Sequence, residues 1–285
     1  MKRILIALVT FIIISCNQDK KQKETESEIP VEQEKVTPVE PDGGIGGGAL
    51  SISENLIKNI EKAHKKEDFL NYKAISFNIN VLFGGKEHLT GKVTMLTNST
   101  KIRIDKKDKS TLLYDGQDVY LSPAEANDKG ARFDMFTWTY FFCMPYKLDD
   151  PGTSLTIQED RKLNNIPHST AKLTFDSGTG DAPDDWYILY ADQVISSLQA
   201  AAYIVTFGSD GNTTKAEADP HVIRYKGFKN VNRIPFATSW EFYGWTKEKG
   251  MTDTKLGEAT ISDITFLNEE GTVFTIPENA KKILL

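Results

Sequence analysis

Two pairs of adjacent carboxylates, Asp149-Asp150 and Asp184-Asp185, are the residues here best suited by type to proton transfer. General acid–base work needs two carboxyls converging on one reacting group, in surroundings that push their proton affinities apart. Neighbouring residues on a strand point to opposite faces, so neither pair makes a natural couple. Asp149-Asp150 runs into Pro151-Gly152, a turn signature, and Asp184-Asp185 follows Pro183 ahead of a strand. Turn and solvation roles fit both pairs. Residues 176–185, "DSGTGDAPDD", are acidic enough to wrap a calcium ion, with Asp181, Asp184 and Asp185 as the densest cluster. They lack the ligand spacing of a calcium loop. His64, His88, His168 and His221 are scattered, and no HxxxH, HExxH, CxxC, GxSxG or Walker-type phosphate loop occurs. "GIGGGA" at 44–49 matches the dinucleotide pattern in letters only, because a Glu- and Pro-bearing stretch stands where a strand is required. No catalytic residue, metal or cofactor is assigned.

The chemistry that is legible belongs to a cysteine. Residues 1–16, "MKRILIALVTFIIISC", set Lys2 and Arg3 before an apolar run over 4–14, then Ser15 and Cys16. That is the charged region, apolar region and small-residue site of an export signal. The run is shorter than the about 20 residues that span a membrane. Its end resembles the bacterial lipobox, which implies a diacylglycerol on the Cys16 thiol and Cys16 as the mature N-terminus. Several acyl chains, at about 0.8 kcal/mol per buried methylene, hold a protein on a membrane without a spanning helix. The only other cysteine, Cys143, is then unpartnered and no disulfide framework exists. Between Phe142 and Met144 it reads as a small buried hydrophobe rather than a nucleophile, which wants a cationic, part-exposed setting.

Composition separates a tether from a domain. Residues 17–50 carry no aromatic side chain, three prolines, many acids and a glycine cluster, and cannot bury enough surface to offset their ordering entropy. About 235 residues remain, enough for one substantial domain over 51–285. A pI near 5.4 and a net charge of −6 argue against nucleic acid as a partner and offer little attraction to an anionic membrane. Membrane attachment falls to the lipid.

Within 51–285 the periodicity changes once. "SISENLIKNIEKAHKKEDFL" opens on a capping box, Ser51 with Glu54, and carries Leu56, Ile57, Ile60, Ala63 and His64 on one helical face. His64 borders that stripe and reads as a packed side chain, since no second ligand stands at a metal-site spacing. After Tyr72 the period becomes two: Ile75, Phe77, Ile79, Val81 and Phe83 alternate with polar residues. About a dozen such segments follow, down to "TVFTIP" near the end, with Asp115-Gly116 as the plainest hairpin turn. Consecutive antiparallel strands with one dry face make a large meander that must curl, and its concave face stays exposed unless helices fill it.

One stretch breaks the pattern. Seven aromatic side chains fall within fourteen positions: Phe133, Phe136, Trp138, Tyr140, Phe141, Phe142 and Tyr146. As a helix, Phe133, Phe136, Tyr140, Phe141 and Met144 form one stripe, and Met135, Trp138 and Phe142 another. As a strand, Phe136, Trp138, Tyr140 and Phe142 share a face. Periodicity does not separate the two. The flanks favour a short apolar helix, with Asp134 placed to cap it and Pro145 to stop it at Met144.

The order of these parts, with "ISFNINVLFGG", "LTGKVTMLT", "KIRID" and the hairpin "LLYDGQDVYLSP", resembles the lipoprotein-localisation carrier superfamily of LolA and LolB over roughly residues 51–145. "TWTYFFCMPYKLDDPG", "DWYILYAD", "AAAYIVTF" and "IPFATSWEFYGW" resemble an uncharacterised family of Bacteroidota lipoproteins. The first resemblance implies an α+β, mainly antiparallel fold: a strongly curved half-barrel sheet, with an N-terminal amphipathic helix and a short apolar helix packed on its concave face. It implies a cavity for acyl chains, and an outer-membrane lipoprotein of the cell envelope. Phe136, Trp138, Tyr140, Phe141, Met144 and Tyr146 are the expected lining for a lipid or acyl chain, without catalysis. The alternative is a cavity plugged by its own aromatics, in a structural or protein-binding envelope module.

Overall fold

Ser51 and Glu54 satisfy each other's backbone N–H groups, at 3.1 and 2.7 Å, and start α1 (Ile52–Ala63). In the computed structural model of the chain, residues 49–207 and 213–284 are described. The expected signal, Cys16 and nearly all of the expected tether lie outside them. Ile57 and Ile60 face inward from α1, and a short helix α2 (Lys66–Leu70) adds Phe69, which is fully buried. Ala49–Leu285 forms one compact unit that supplies its own core.

The period-two alternation becomes β1 (Ala74–Phe83), whose Ile75, Phe77, Ile79 and Val81 are buried while Asn78 and Asn80 are exposed. β2 (Lys86–Leu96), β3 (Ile102–Lys106), β4 (Thr111–Tyr114) and β5 (Val119–Ser122) follow as hairpins, the last turning at Asp115-Gly116. After an excursion through α3 (Ala131–Cys143), β6 (Thr153–Leu163), β7 (Ile166–Phe175), β8 (Tyr187–Asp192) and β9 (Leu198–Tyr203) continue the sheet. A short α4 (Thr213–Glu217) precedes β10 (His221–Val231), β11 (Ile234–Thr246), β12 (Gly250–Leu267) and β13 (Lys281–Ile283).

All thirteen strands belong to one open antiparallel sheet in the order β13-β5-β4-β3-β2-β1-β12-β11-β10-β9-β8-β7-β6. The expected single meander is therefore two. One runs outward from β1 to β5; the other starts at the far edge with β6 and returns to β12, which pairs with β1. A chain that ends one meander near one edge and begins the next at the other must cross a face of the sheet. That crossing is α3. Register shifts between β1 and β12, β11 and β12, and β6 and β7 add bend and twist. At Gly257 a Cβ would lie 2.6 Å from the Leu82 carbonyl oxygen and against the Phe83 ring, so the two central strands approach closely there.

One strand expectation fails. Residues 272–277, "TVFTIP", form turns and extended coil. Phe274 instead packs with Ala74, Leu96 and Leu113 on the outer side of the sheet, and the final strand is β13 against β5. Burial of one aromatic ring there outweighs the local strand pattern.

Candidate functional site: an apolar cavity beside the crossing helix

α3 is apolar nearly all round, so both its sides must find partners. Its cap is Gly130, at φ +77°, rather than Asp134. The α-helix ends at Cys143, and Pro145 carries the chain into a 3-10 turn over Met144–Tyr146.

One side of α3 is packed solid. Trp138 is 2% exposed and sits among Phe83, Phe141 and Phe242, with centroid separations of 6.2, 6.2 and 5.9 Å. Its indole N–H donates to Asp134 at 3.0 Å, and the same carboxylate takes Lys106 Nζ at 2.9 Å and meets His88 Nε2 at 3.0 Å. Burial pushes the Asp134 pKa up, but the contacts with His88, Lys106 and Trp138 outweigh it and the carboxyl lies below its ordinary value. Phe142 stacks between Phe77 and Phe236 at 3.9 and 5.4 Å. Tyr146 stacks flat on Phe69 at 3.9 Å. Beside it His64 accepts from the Leu198 N–H at 3.0 Å, and burial lowers its pKa to about 4. The space left near His64 and Tyr146 is only about 20 Å³. Tyr225 donates to the Phe141 carbonyl at 2.9 Å and pins the helix end.

The other side of α3 faces a cavity of about 570 Å³, within the 300–1,000 Å³ typical of small-molecule sites. Phe133, Phe136, Tyr140 and Phe141 form its α3 wall. Phe175 from β7, Tyr187 from β8 and Tyr203 from β9 form the facing wall, with Ile102 and Tyr114 to one side. Burial raises the pKa values of Tyr140, Tyr187 and Tyr203, so these hydroxyls stay protonated. The Tyr140 hydroxyl is buried and, among the described residues, has no hydrogen-bond partner.

Polar groups border this apolar space. Lys147 pairs with Asp150 at 2.6 Å, and Asp181 takes Arg132 Nε at 2.6 Å. Asp185 accepts from the Thr206 N–H and hydroxyl at 2.8 and 2.7 Å, both through Oδ1. Burial drives the Asp185 pKa up to about 6 despite those bonds, and the charges of Asp181 and Asp184 add to the rise. Among the described residues no acid and base converge on one point there, and the arrangement suits binding of an apolar body with a polar end.

Of the six residues expected to line a ligand site, Phe136, Tyr140 and Phe141 line this cavity. Trp138, Met144 and Tyr146 do not; they lie in the core. The helical period explains the split, because Phe133, Phe136, Tyr140 and Phe141 share one stripe and Trp138 belongs to the stripe with Met135 and Phe142. Met144 would continue the cavity stripe, but the helix tightens before Pro145 and turns it inward.

No protein-family profile matches the chain, and no curated protein does. Solved structures do. A LolA superfamily protein from Nitrosomonas europaea superposes with a TM-score of 0.53 at 9% identity, over 79% of this chain and 98% of its own. A DUF1329 family protein from Desulfovibrio piger gives 0.49 at 12% identity, over 77% and 96%. This chain has a LolA-like fold.

In this LolA-like half-barrel, the sequence singled out Asp185 for a turn or solvation role rather than for this cavity, and Phe175, Tyr187 and Tyr203 were missed. The tyrosines carried a usable signal: Tyr187 and Tyr203 sit at strand positions whose alternation fits an inward face. Nothing in the sequence separates Asp185 from its neighbour Asp184, which is exposed.

Proposed function

We propose that this protein is a non-catalytic binding protein of the cell envelope that holds a lipid or acyl chain in the cavity beside α3. In this reading it is tethered by lipid on Cys16, as an outer-membrane lipoprotein akin to those of the Bacteroidota. The observation that carries the reading is the space itself: about 570 Å³ lined by nine aromatic side chains remains after α3 has packed. A concave apolar face that needed only a plug would have been closed by the same helix. The LolA-like fold adds consistency. Against it stands the structural or protein-binding module, favoured by the fully packed Trp138, Phe142 and Tyr146 side.

Native mass spectrometry of residues 49–285 tests the reading, and co-purifying lipid is expected. Phe136→Trp narrows the cavity and should remove that lipid without unfolding the protein. If no lipid is found, and none shifts tryptophan emission or melting temperature, the plugged alternative stands. The tether is tested separately by fractionating cells that carry Cys16→Ala, which should leave the membrane fraction.

A further inference from the structure

The border of the cavity is not charge-balanced. Lys147 neutralises Asp150, and Arg132 neutralises Asp181. Asp185 has no such counter-ion among the described residues: Thr206 occupies one carboxylate oxygen with two neutral donors, and Oδ2 makes no hydrogen bond there. A partly buried carboxylate with a free oxygen is costly unless something of opposite charge meets it. Asp185 itself lines the apolar space. A carboxylate left without a counter-ion on the border of such a space describes the polar end of an amphiphile's site.

We propose that the cavity selects an amphiphile with a cationic amine head, the amine meeting Asp185 while the chain lies among the aromatic walls. The proposal rests on the hydrophobic-ligand reading above and adds the sign of the head group. A free fatty acid would bring a second carboxylate to Asp185, whereas Asp150 and Asp181, which also line the cavity, are each already paired with a cation. A cation would be held by a charge-assisted bond.

The test is titration calorimetry of residues 49–285 at pH 7.5 with dodecylamine, dodecanol and dodecanoate, each below its micelle concentration. The expected order is amine, then alcohol, then carboxylate, with the amine about ten- to a hundredfold tighter than the alcohol. Asp185→Asn should erase the amine preference and leave the alcohol within about threefold, whereas the exposed neighbour's variant, Asp184→Asn, should keep it. Tyr140→Phe, which leaves Asp185 in place, should keep the amine preference. Equal binding of all three probes, a preference for dodecanoate, or an amine preference that survives Asp185→Asn overturns the head-group assignment and leaves the hydrophobic reading intact. Binding of none of the probes overturns both.

Discussion

The two sides of α3 use the same residue types to opposite ends. On one side, the aromatic rings and the buried carboxylate of Asp134 have partners: Trp138, His88 and Lys106 share that carboxylate, and Phe142 lies between two rings. On the other, Phe136 and Tyr140 border open space, and among the described residues the Tyr140 hydroxyl is unmet and Asp185 has neutral donors only. Aromatic composition by itself therefore says nothing of whether a surface is core or site. What separates the sides is how completely the polar atoms are satisfied, since native cores leave few of them unpaired.

The sharpest way to break this comparison is truncation on both sides. Trp138→Ala should cost about 3–5 kcal/mol in equilibrium denaturation, because it opens a hole in packed core and strips Asp134 of a donor. Phe136→Ala, on the cavity side, should cost about 1 kcal/mol, since the ring already borders space. Equal losses would mean that the cavity wall is as well packed as the core.

Asp134→Asn comes next. It weakens three contacts to a buried carboxylate and should cost about 2–3 kcal/mol at pH 7. Its pH dependence has a definite sign. The folded Asp134 pKa is lowered, so its contribution is present above the unfolded value near 3.8 and disappears as pH falls through the folded pKa. The wild-type excess over Asp134→Asn should shrink below pH 4.

Asp185 should behave in the opposite way. Its folded pKa, about 6, lies above the unfolded 3.8, so the folded state binds its proton more tightly across that window. Stability of the ligand-free protein should then rise by about 1–3 kcal/mol as pH falls from 7 to 4, for this group alone. Asp185→Asn should be more stable than wild type at pH 7 by a similar amount, and the difference should fade toward pH 4. Thermal melts at both pH values measure it; a destabilised Asp185→Asn at pH 7 would show that the carboxylate is well solvated.

The smallest effect is expected from Tyr140→Phe. Removing a buried hydroxyl that has no partner among the described residues should leave stability unchanged or raise it by less than about 1 kcal/mol. A loss above 1 kcal/mol would mean that the hydroxyl is satisfied in solution, and the contrast between the two sides would narrow.

Local chemistry was legible wherever neighbours along the chain decide the outcome. The Ser51–Glu54 cap, the inward set Ile75, Phe77, Ile79 and Val81, and the turn at Asp115-Gly116 each depend on a few adjacent residues. The helical stripe of Phe133, Phe136, Tyr140 and Phe141 was readable too, and it is the α3 wall of the cavity. Strand order was not. The pairing of β1 with β12 joins residues nearly 190 positions apart, and no periodicity encodes which two dry-faced strands meet. For the same reason "TVFTIP" has a strand's pattern but lies in turns and coil, with Phe274 packed on the outer side of the sheet.

From sequence alone, then, come the antiparallel, curving sheet, its single amphipathic entry helix and an apolar helix that needs burial on every side, because alternation and helical period are properties of the chain itself. Tertiary structure decided which stripe of that helix would be buried and which would border a cavity, and that Asp185 rather than Asp184 would stand at its edge. The physical reason is that vacancy and burial are properties of the space between elements. A stripe of aromatic side chains has the same letters whether or not a partner surface arrives to fill the gap in front of it.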